Sequence, residues 1–69
     1  MFEIESRIAG SRQRLTEEAA VRTVRALLRR LGNEANEERV VKDLLSLSEG
    51  KEMYVTYGVS IRRMPATHS

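Results

Sequence analysis

The sequence predicts a small α+β domain with the order strand, helix, helix, strand, and three observations carry that expectation. Residues 16–31 and residues 36–48 each gather their apolar side chains on one helical face, and both ends of the chain alternate apolar with polar residues. Short connections make each element reverse the last, so the first and last strands are expected antiparallel and adjacent, packed under two amphipathic helices. The expected domain spans residues 1–64, with 65–69 as a flexible C-terminal tail after Pro65.

The first strand is expected over residues 2–9, where Phe2, Ile4 and Ile8 alternate with Glu3, Glu5 and Arg7. Residues 10–15, GSRQRL, read as a connection carrying two arginines. The first helix follows at 16–31. Ala20, Val21, Val24, Leu27, Leu28 and Leu31 share an apolar arc of roughly 120°. Thr16 suits the N-cap, Glu17 and Glu18 the first turn, Arg29 and Arg30 the last, and Gly32 the left-handed residue beyond it. A second stripe on this helix holds Glu18, Arg22, Arg25 and Arg29, and a third, of small residues, holds Ala19, Thr23 and Ala26 beside Arg30.

The second helix is expected to start at Asn33 or Asn36 and to run to about Ser48, closed by Gly50. Val40, Val41, Leu44 and Leu47 form its apolar face, while Glu38, Arg39, Lys42, Asp43 and Glu49 lie outside. In the last stretch Met53, Val55, Tyr57, Val59 and Ile61 alternate with Tyr54, Thr56, Gly58, Ser60 and Arg62. A hairpin at Tyr57 and Gly58 is the alternative, but parity unbroken across Gly58 favours one long strand, with Gly58 at a bulge or a close backbone approach.

A chain of 69 residues buries little of its surface and needs support. Without cysteine, and with His68 as its one histidine, it has no material for disulfides or a His/Cys metal site, which leaves oligomerisation. A two-stranded sheet with an open edge points the same way. A homodimer is expected, either extending the sheet across a two-fold axis or packing helices through Ala19, Thr23 and Ala26. The N-terminal stretch MFEIESRIAG lacks a signal-peptide pattern and the apolar runs are too short to span a bilayer, so a cytoplasmic protein without membrane contact is expected.

Nothing in the chain assembles a catalytic, cofactor or metal site, or points to a small-molecule substrate. No cysteine is present, and no phosphate-binding loop or dinucleotide fingerprint appears. The pairs Glu17–Glu18 and Glu37–Glu38 sit where helix first turns favour acids. The expected protein is therefore a non-enzymatic regulator.

Charge is uneven: residues 1–31 hold seven arginines and four glutamates, whereas residues 32–50 hold two bases and five acids. Arg22, Arg25 and Arg29 share one helix face, with Arg12 and Arg14 just before the helix, and these five are the candidate nucleic-acid-binding residues, for DNA or RNA. The rival expectation is a protein-binding inhibitor or adaptor, of the phage or mobile-element type, that docks through a strand edge or a charged helix face. The strand, helix, helix order is similar to that of ribbon-helix-helix repressors. Here, though, the outward strand residues would include Glu3 and Glu5, which oppose a phosphate-lined groove, and the last strand has no counterpart in that motif.

Overall fold

The computed structural model describes residues 1–65 and contains seven short elements. Strands β1 (Phe2–Ser6) and β2 (Ser11–Leu15) form a first hairpin, helices α1 (Glu17–Arg30) and α2 (Glu37–Leu45) follow, and β3 (Glu52–Thr56) and β4 (Val59–Arg63) form a second hairpin. One antiparallel sheet results, in the order β2-β1-β4-β3. The antiparallel contact expected between the two ends of the chain is made, by β1 and β4. Each of those ends is a hairpin, however, so four strands replace the expected two and all four come from one chain.

Both corrections have a physical cause. Of the expected connection 10–15, only Gly10 stays in a turn and Ser11–Leu15 is a strand: Phe2 pairs with Leu15 and Ser6 with Ser11, so the chain turns at residues 7–10 with Gly10 at φ 64°. The long C-terminal strand is also replaced, because Met53 pairs with Ile61 and Tyr54 with Ser60. Partners in that register share odd or even parity. A one-residue irregularity between Tyr54 and Thr56, followed by a turn at Tyr57 and Gly58, therefore carries the alternation through a complete reversal. The second helix is shorter than its pattern, beginning after a single 3₁₀ turn at Glu34–Asn36 and ending at Leu45. Neither Asn33 nor Asn36 caps it with a side chain; the Asn36 amide instead donates to Asn33 Oδ1 at 2.6 Å. Of the expected tail, all but Pro65 lies outside the described residues.

Helix α1 forms as its ends direct. Thr16 Oγ1 accepts from the Ala19 N–H at 3.2 Å. At the other end the Gly32 N–H donates to Arg29 O at 3.1 Å and the Asn33 N–H to Leu28 O at 2.8 Å, a Schellman closure that needs the positive φ of Gly32. Both helices lie on one face of the sheet. Phe2, Ile61 and Val55 from the strands meet Ala20, Val24 and Leu28 of α1 and Val40 and Leu44 of α2 in a single core. Arg63 closes its end: the guanidinium stands 4.6 Å over the Phe2 ring and donates to Leu45 O, at the C-terminus of α2.

Candidate functional site

The arginine stripe of α1 divides. Asn33 to Asn36 turn the chain so that the first turn of α2 lies beside the last turns of α1, and Glu37 enters between the helices with its side chain only 8% exposed. Arg25 donates to Glu37 Oε1 at 2.7 Å and to Glu38 Oε1 at 3.2 Å. Arg29 donates to both Glu37 oxygens, at 3.0 and 3.1 Å. These charge-assisted bonds hold the Glu37 carboxyl below the usual carboxylate range, with Arg29 the larger cause and Arg25 next. The same bonds raise the Arg25 and Arg29 guanidinium values, Glu37 being the leading cause for both. Two of the three stripe arginines thus tie helix to helix.

Arg22 remains outward, 3.8 Å from Glu18. Because Arg25 and Arg29 mark the side of α1 that meets α2, the opposite flank is free of it. A shallow furrow runs there along Thr23, Ala26 and Leu27 between Arg22 and Arg30. A second furrow, between the helices, is lined by Arg25, Arg39 and Lys42 with Glu38, Val41 and Leu45.

Arg12 and Arg14 lie elsewhere. Phe2 and its partner Leu15 face the helices, so their neighbours Glu3 and Arg14 face away, as do Glu5 and Arg12. Across the bare face of the sheet one row reads Arg14, Glu3, Arg62, Glu52 from β2 to β3, and the next reads Arg12, Glu5, Ser60, Tyr54. Arg12 bonds Glu5 at 2.8 Å and Arg62 reaches Glu52 at 3.3 Å, while Arg14 has no ion pair among the described residues. The five arginines singled out in the sequence therefore occupy opposite sides of the molecule and form no common surface.

The sequence reading missed β2 as a strand and hence its open edge. Its inward residues are Ser11, Gln13 and Leu15, of which Leu15 alone is apolar, so hydrophobic periodicity had nothing to report. The two hairpin turns meet at the other end of β1, where the Arg7 N–H donates to Gly58 O at 2.7 Å. They hold Ile8 and Tyr57 in solvent, 72% and 79% exposed.

Among the described residues no three His, Cys, Asp or Glu side chains are grouped to hold a metal ion, and no helix is long and apolar enough to cross a membrane. The fold and its surfaces define a two-layer α+β domain, a helix pair on a four-stranded antiparallel sheet with one bare, charge-alternating face. No family model, curated protein or solved structure matches the chain.

Proposed function

We propose that this chain is a small, non-catalytic binding protein that docks on a partner protein through the open edge of β2. The carrying observation is that edge: Ser11–Leu15 pairs with β1 at every residue, without a register shift or a proline, and its outer backbone groups have no neighbouring strand among the described residues. Unpaired strand edges are templates for another chain. The opposite edge, β3, is the poorer template, because the irregularity between Tyr54 and Thr56 breaks its ladder.

A second reading, nucleic-acid binding, draws on the outward side of the helix pair. Arg22, Arg39 and Lys42 stand there and supply positive charge, while Arg25 and Arg29 are matched by the carboxylates of Glu37 and Glu38. Engagement of Arg25 and Arg29 with Glu37 is what ranks it below the first.

The two readings separate in one pair of measurements. A photoreactive side chain in place of Gln13 is expected to cross-link a protein in cells, while the same group in place of Asp43, on the exposed side of α2, is not. Titration into labelled duplex DNA, single-stranded DNA and RNA at about 50 mM salt is expected to show no binding. Binding that falls by tens of fold at about 200 mM, and is lost in the triple variant R22E/R39E/K42E, would replace the first reading with the second. The light-scattering mass of the same sample tests the separate proposal of a homodimer.

A further inference from the structure

We infer that the partner segment received at β2 is an extended strand with acidic residues at alternate positions. This rests on docking at the β2 edge and adds what the occupant must carry. The bare sheet face alternates in charge across the strands: Glu52, Arg62, Glu3, Arg14 in one row, and Glu5 then Arg12 in the next. Both rows stop at β2 on an arginine. Opposite charges directly across neighbouring strands stabilise a sheet and like charges destabilise it, so a strand that continues both rows places carboxylates opposite Arg14 and Arg12. Arg14 has no ion pair among the described residues, and Arg12, bonded through Nε to Glu5, keeps its remaining guanidinium donors for a second carboxylate.

The rule that selects an acidic strand also rejects a second copy of this chain at the same edge. Antiparallel pairing about Gln13 sets Arg12 opposite Arg14 of the other protomer and Arg14 opposite its Arg12, and in-register parallel pairing sets each arginine beside itself. The other face of an added strand suits apolar side chains. Helix α1 contacts β1 and β2, and its flank turned away from α2 carries Thr23, Ala26 and Leu27. The occupant is therefore an acid–apolar alternation of about four to six residues, a length that matches the five residues of β2.

The test uses the whole protein, isotopically labelled, and three synthetic peptides of equal length that alternate valine with glutamate, with lysine or with threonine. The glutamate peptide is expected to shift and protect the amides of Ser11–Leu15, to bind at least about threefold more tightly than the threonine peptide, and to weaken with salt. In R12E/R14E the preference is expected to pass to the lysine peptide, and in R12Q/R14Q, which adds no repulsion against Glu5, to vanish with the fold intact. Equal binding of all three peptides at β2 would overturn the acidic assignment and leave edge docking standing. So would a glutamate peptide that shifts amides of α1 or α2 instead of β2. Amides of β2 unmoved by every peptide at millimolar concentration would overturn it as well, while the cross-link from position 13 remains the independent measure of edge docking.

Discussion

Arg29 and Glu37 form a two-point pair, Nε to Oε2 at 3.0 Å and a terminal nitrogen to Oε1 at 3.1 Å, and Arg25 bonds the same carboxylate from one turn earlier. The Glu37 carboxylate is buried, and a buried carboxylate that loses its partners is costly, so this contact fixes how the helices meet.

The depressed ionisation of Glu37 sets a pH dependence. A carboxyl whose folded-state value lies below its ordinary value of 4.5 contributes stability that is present above that value and lost as pH falls through the lower, folded-state one. Thermal melts followed by circular dichroism are expected to show the wild-type midpoint falling steadily below about pH 4.5. Glu37→Gln is expected to melt lower at pH 7 and to lose less on acidification. Parallel curves for the two proteins would refute a stabilising ionised Glu37.

The second prediction concerns the hairpin tips. A Cβ at position 58 would lie 2.9 Å from Ile8 Cγ1, and Gly58 has φ 75°, a conformation costly for other residues. Gly58→Ala is expected to cost about 1 to 2 kcal/mol in urea unfolding. Ile8→Ala, at so exposed a position, should be nearly neutral alone, yet it should recover part of the loss in the double variant. A double variant no better than Gly58→Ala would place the whole cost in the backbone.

How much of this was legible follows from which interactions are local. Thr16, Glu17, Arg29, Arg30 and Gly32 act within a turn of their own positions, and the sequence places α1 to within a residue at each end. The hairpin at Tyr57 and Gly58 was ambiguous for a stated reason: an even register preserves parity, so alternation cannot tell reversal from continuation. Strand β2 was invisible because an edge strand with a bare outer face needs few apolar residues. The Glu37 cluster joins residues eight and twelve positions apart on two helices. Charge pattern alone read its arginines as a free face and its glutamate as a first-turn acid.

A third prediction follows from Arg63. It covers Phe2, donates to Leu45 O, approaches Glu17 at 3.9 Å, and buries an Nε with no partner. Arg63→Lys keeps the charge but loses the planar fork that serves the ring and the carbonyl together. Arg63→Ala is expected to cost about 1 to 2 kcal/mol and Arg63→Lys somewhat less, measured by urea unfolding at neutral pH. A lysine variant as stable as wild type would reduce the role of Arg63 to charge.

The alternation on the bare face makes a final, ordered prediction. Arg62 stands between Glu3 and Glu52, Arg12 faces Glu5 across one strand boundary, and Arg14 faces Glu3 at the edge. Charge reversal should cost most where it creates two like-charged neighbours: Arg62→Glu about 1 kcal/mol, with Arg12→Glu and Arg14→Glu each a few tenths. Arg12→Glu should exceed Arg14→Glu, because it also breaks the 2.8 Å bond to Glu5. These groups are solvent-facing, so the ranking should hold near 20 mM salt and compress near 1 M, where screening acts within about 3 Å. Urea unfolding at both salts measures it. Equal losses for the three variants at low salt would mean that the alternation is not an energetic pattern, and would remove the ground on which β2 is assigned an acidic strand.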